Sequence, residues 1–92
     1  MAWAYDLPTA ESAFHNKDFP KVIQLLSPQV EKLDRKGLML LGSAYSTEKN
    51  PAAAIKVYTA ALSKNPKDVE AKTFIGIEQM ALSQDKEALQ TL

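Results

Sequence analysis

The chain has 92 residues, enough for one small domain, and 46% of them are hydrophobic, which suits a globular chain with a modest core. Eleven basic residues balance eleven acidic ones, so no net field draws the chain to nucleic acid or to an anionic membrane surface. Cysteine is absent, which excludes disulfides, thiolate zinc sites and thiol nucleophiles, and no apolar run approaches the roughly 20 residues that span a bilayer.

The start lacks the basic segment and apolar core of a secretory signal. Ala2-Trp3-Ala4 nevertheless has the small-x-small form of a signal-peptidase site, so a mature exported or periplasmic chain beginning at Tyr5 stands as the alternative to a cytoplasmic default. Asp6 or Thr9 offers an N-cap, Pro8 fits a first turn, and a short helix is expected to about Asn16. Asn16-Lys17-Asp18 reads as a turn in which Asp18 caps a second helix opened by Phe19 and Pro20. Val22, Ile23, Leu25, Leu26, Val30 and Leu33 are its apolar positions, and Pro28 inside it predicts a bend.

Asp34-Arg35-Lys36 makes the next connection and leads into a central helix pair joined by a loop over Ser46 to Lys49. Leu38, Leu41 and Tyr45 share one stripe of its first helix; Ala54, Tyr58, Ala61 and Leu62 share one stripe of its second. Asn50-Pro51 opens the second helix, because asparagine accepts from orphan amides and proline fits the first helical position. Asn65-Pro66 closes it. Gly42 and Ala54 are expected where the two helices cross.

In order, Leu38, Leu41, Gly42, Tyr45, Ala54, Tyr58, Ala61 and Pro66 resemble one unit of the tetratricopeptide (TPR) repeat, a 34-residue helix-turn-helix. The one departure is Leu38, which fills the tryptophan-type position. Thirty-four residues after Leu41, Gly42, Ala54 and Tyr58 stand Ile75, Gly76, Ala88 and Leu92, with Lys72 and Gln79 departing from the pattern. At an offset of 32, Ala10, Asp18, Val22, Ile23 and Leu26 match Gly42, Asn50, Ala54, Ile55 and Tyr58. The resemblance therefore implies an all-α, right-handed solenoid as a single domain over 1–92. Its repeats fall at about 3–34, 35–68 and 69–92, the last incomplete. About six helices are expected: Asp68 caps a fifth over about Val69 to Leu82, and Gln84 or Asp85 starts a truncated sixth.

Catalytic chemistry has little to stand on. His15 is the only histidine, with Glu11 one helical turn away as a surface or cap partner. None of Ser12, Ser27, Ser43, Ser46, Ser63 and Ser83 lies in a nucleophile elbow, and three scattered glycines make no phosphate loop. Neither an enzyme nor a bound cofactor or metal is expected.

The informative excess is apolar. Leu38-Met39-Leu40-Leu41 carries more apolar surface than one packing stripe needs, as do Phe74, Ile75, Ile77 and Met80. In a TPR-like stack the first helix of each pair lines the concave surface, which assigns partner contacts to Phe14, Met39, Leu40, Ser43, Thr47, Thr73, Phe74, Ile77 and Met80, with His15 and Ser46 beside them. Leu40, Phe74 and Ile77 are equally candidates for core between repeats, and Met39, Ser43 and Met80 are the freer positions.

One subclass of TPR modules grips acidic chaperone tails with lysine, asparagine and arginine at these places. Met39, Leu40, Ser43, Thr73, Phe74 and Ile77 stand there instead, so the expected partner is a helix or an extended apolar peptide of another protein. The alternatives are self-assembly through Ala88, Leu89 and Leu92, or membership of a longer TPR scaffold whose next unit covers that stripe.

Overall fold

The computed structural model describes the backbone of residues 7–91 and the side chains of residues 8–83. Four short polar side chains decide where its helices begin. Asp18, Asp34, Asn50 and Asp68 each accept a bond from the backbone N–H three residues on, from Lys21 (3.4 Å), Gly37 (3.0 Å), Ala53 (3.3 Å) and Ala71 (3.1 Å). Each bond satisfies one of the donors that a helix leaves unpaired in its first turn. The helices that follow are α2 (Phe19–Leu26), α3 (Arg35–Thr47), α4 (Pro51–Lys64) and α5 (Val69–Thr91), preceded by α1 (Leu7–His15). No strand occurs among the described residues.

The chain is thus all-α, as its periodicity predicts. Each helix packs against the next in the chain, and α1 also touches α3. Ala10, Val22, Leu26, Leu33, Leu38, Leu41, Ala44, Ala54 and Ala71 are fully buried between them. Buried Val22 and Leu26 on α2 correspond to buried Ala54 and Tyr58 on α4 at the 32-residue offset, so the sequence recurrence is also a recurrence of burial.

The turn geometry recurs as well. At the end of α1, Lys17 adopts φ 62° and the Asp18 N–H bonds to the Ala13 carbonyl at 2.8 Å. At the end of α3, Lys49 adopts φ 61° and the Asn50 N–H bonds to the Tyr45 carbonyl at 2.9 Å. Both are left-handed helix closures with the bond reaching back five residues, followed at once by the cap of the next helix.

Two expectations are corrected. The second helix does not run bent to Leu33: it stops at Leu26, and Ser27–Lys32 continues as a 3₁₀ segment with Pro28 in its first turn and non-helical angles at Gln29. Proline cannot supply the missing amide, so the tighter winding takes over. The six-helix count also fails, because α5 is continuous from Val69 to Thr91 and the break expected at Gln84 or Asp85 is not there. Ser83-Gln84-Asp85 resembles a cap, yet no glycine or proline interrupts the run, and propagating a formed helix costs less than nucleating another. Gly76 and Ala88 consequently lie on one helix and form no crossing of a helix pair. Asp6 and Ala2-Trp3-Ala4 lie outside the described residues, as do Leu92 and the side chains of Ala88 and Leu89.

Candidate functional site

The surface between α3 and α5 is built around Tyr58 of α4. Its ring is buried and rests on Gly42 of α3: a Cβ at Gly42 would lie 2.5 Å from Cε1 and 2.7 Å from Cζ. Only glycine leaves room for a ring this close to a helix backbone. Gly42 therefore meets α4 through the tyrosine ring. On its other side Tyr58 stacks against Phe74 of α5, with ring centroids 5.2 Å apart. The Tyr58 and Ser43 hydroxyls are 3.4 Å apart. Burial, first, and the nearby Glu78 carboxylate push the phenol above its usual range, while the bond with Ser43 lowers it.

Glu78 is the residue that sequence reasoning missed. It lies on the inward face of α5 with only 5% of its surface exposed, and the Ser46 hydroxyl of α3 donates to its Oε2 at 2.7 Å. A signal existed, since Ala71, Ile75, Glu78 and Leu82 recur at helical spacing and put one carboxylate in an otherwise apolar stripe. At the opposite end of the same helices Arg35 reaches across to Asp68 (Nε to Oδ2, 2.7 Å) and to Glu70 (2.5 Å). The Arg35 bond, then that from the Ala71 amide, holds the Asp68 carboxyl below its ordinary range, and the two carboxylates raise the Arg35 guanidinium.

The predicted contact residues separate by environment. Ile77 is 52% exposed and Met80 64% exposed; with Val69, 71% exposed, they form one apolar stripe along α5 that includes the exposed Thr73. Gly76 lies within that stripe, and a Cβ there would meet nothing within 4 Å. Met39 and Leu40 are half-buried against the core, as is Phe14, whose ring makes an edge contact with Phe19 at 5.2 Å. Phe74 is half-buried under Tyr58. Thr47 and Thr73 are exposed, and each donates back to its own helix, at the Ser43 and Val69 carbonyls.

His15 is exposed at the end of α1, and Glu11 takes Lys36 of α3 (2.9 Å) instead of the histidine. Among the described residues no three acidic or histidine side chains gather in a way that could hold a metal ion, and no helix is long and apolar enough to cross a membrane.

Two hollows adjoin α3 and α4. One, of about 280 Å³, lies between these helices and the 3₁₀ segment, among Val30, Leu41, Tyr45, Ala53, Val57 and Ala60. The other, of about 210 Å³, sits where the α3–α4 turn meets α5, and is lined by Ser46, Lys49, Pro51, Ile77, Glu78 and Ala81. No family model matches the chain, and neither a curated protein nor a solved structure matches it.

Proposed function

We propose that the chain is a protein-recognition module on the TPR plan, binding a helix or apolar peptide of another protein along α5 and the adjoining surface of α3. The observation that carries this reading is the exposed stripe of Val69, Ile77 and Met80, three large apolar side chains on one face of a helix whose opposite face is buried. The repeated turn and repeated burial support the TPR plan. His15 stands exposed with its neighbouring carboxylate engaged by Lys36, and no catalytic role is proposed for it.

The stripe also sets the strength of binding. Completing the burial of three half-exposed or more exposed aliphatic side chains gives roughly 1–2 kcal/mol each, or about 3–6 kcal/mol gross. Association costs an estimated 4–15 kcal/mol. Apolar contact alone is therefore too weak, and a specific ligand must add polar or charged contacts.

Selection of a random 16-residue peptide display library on the full chain tests the reading. Peptides with apolar residues at helical or alternating spacing are expected, and Met80→Lys or Ile77→Lys should abolish their binding while helicity by circular dichroism stays unchanged. A library that yields no enriched sequence, or peptides indifferent to both substitutions, overturns it. The second reading, self-association, is favoured by the open space over Gly76, which would let a second copy's backbone approach the same stripe. Sedimentation equilibrium at micromolar concentration separates the two, a strict monomer removing self-association.

A further inference from the structure

The hollow beside Ile77 has an unusual floor. Glu78 is 5% exposed, and the Ser46 hydroxyl is its one hydrogen-bond donor among the described residues. Among the described residues no buried side-chain oxygen lacks a partner, so the carboxylate oxygen that Ser46 does not reach is open to solvent and available to a further donor. Lys49 stands at the rim of the hollow, exposed, and makes no ion pair with Glu78. Elsewhere the chain behaves differently: the equally buried Asp68 has a guanidinium and a backbone amide upon it.

We infer that this hollow, resting on the recognition reading above, receives one basic side chain of the bound protein segment, an arginine or lysine, whose charge meets the Glu78 carboxylate while neighbouring apolar side chains lie on Ile77 and Met80. Size, charge and placement each support it. A volume of about 210 Å³ is below the roughly 300–1,000 Å³ of small-molecule sites and suits a single long side chain. The floor carries a carboxylate, and an ionised donor adds the attraction of opposite charges to the hydrogen bond, with a bidentate geometry open to arginine. Ile77 belongs both to the wall of the hollow and to the apolar stripe, so a segment crossing the stripe passes directly over the opening. The stem of an arginine or lysine would lie against Ile77, Ala81 and Pro51, burying its methylenes as it delivers its charge. The contact supplies the polar term that the apolar stripe lacks, and it sets specificity, since an acidic side chain in the same place would face an uncompensated like charge.

The same peptide selection, repeated on the Glu78→Gln chain, provides the test. Glutamine keeps an oxygen for the Ser46 hydroxyl and removes the charge. On the wild-type chain, lysine or arginine is expected at one fixed place relative to the apolar residues, enriched on the order of fivefold over the naive library. On Glu78→Gln that enrichment should fall to background while the apolar preference persists. A selected arginine peptide should bind at least tenfold more tightly than its citrulline counterpart, and Glu78→Gln should erase the difference.

Lys49→Glu, an exposed change that leaves the core intact, should tighten the arginine peptide severalfold at low salt. Apolar enrichment without a basic position, an arginine and a citrulline peptide of equal affinity, or a Lys49→Glu chain that binds no better overturns this inference and leaves the apolar recognition face standing. No enrichment of any kind overturns both.

Discussion

Gly42 and Gly76 submit the packing argument to the same chemical change with opposite expected sign. In an exposed helix interior, glycine to alanine gains about 1 kcal/mol by restricting the unfolded chain and favouring the helix. Gly76 is half-buried but unhindered: the added methyl meets nothing within 4 Å, so Gly76→Ala should stabilise by about 0.5–1 kcal/mol. At Gly42 the methyl would sit 2.5, 2.7 and 2.9 Å from three atoms of the Tyr58 ring. That ring is buried and backed by Phe74, so it cannot swing aside without disturbing α5. Overpacking of this kind costs about 1–3 kcal/mol, and contacts this short belong near the upper end. Net of the helix gain, Gly42→Ala should destabilise by about 1–2 kcal/mol, lowering the melting temperature by roughly 4–16 °C for a domain of this size.

Urea unfolding followed by circular dichroism at 222 nm measures both variants on one scale. Tyr58→Leu should reduce the cost of Gly42→Ala in a double-mutant cycle, because the clash would lose its partner. A Gly42→Ala chain as stable as the wild type would refute the claim that the α3–α4 contact is fixed by the ring on the glycine.

Two further outcomes are expected. Asp68 has a lowered carboxyl pKa, so its contribution to stability is complete above the ordinary aspartate value of 3.8 and is lost as pH falls from there through the depressed folded value; Asp68→Asn should flatten that acid limb in urea midpoints measured against pH. Lys17 holds a left-handed backbone, which costs a side-chain-bearing residue about 1–2 kcal/mol; after allowance for the greater freedom of unfolded glycine, Lys17→Gly should stabilise by about 0.5–1 kcal/mol in the same denaturation assay.

What could be read from the sequence was mostly what is local along it. Asp18, Asn50 and Asp68 announce their helices because each cap bonds to an amide three residues away. Asp34 does the same, yet in a run of charged residues it read only as a connection. Tyr58 and Gly42 were legible as a motif, though not as the ring-on-backbone contact they make, which depends on how two helices meet. The continuity of α5 is not legible locally, because Ser83 to Asp85 has the composition of a cap, and whether a cap is used depends on packing that no local window contains. The α3–α5 links, Arg35 to Asp68 and Glu70 and Ser46 to Glu78, join residues more than thirty positions apart. Long-range polar pairing leaves no periodic trace, so the apolar stripe that holds Glu78 was legible in the sequence but its bond to Ser46 came to light only with the fold.

The left-handed lysines at the ends of α1 and α3 have a consequence for enlarging the molecule. Because the same closure, the same reach-back hydrogen bond and the same immediate cap occur at both places, the change of direction between partner helices is encoded within a handful of adjacent residues. Such a corner is transferable: spliced between two other amphipathic helices of similar length, it should reverse the chain in the same way, giving engineers a ready-made joint between antiparallel helices.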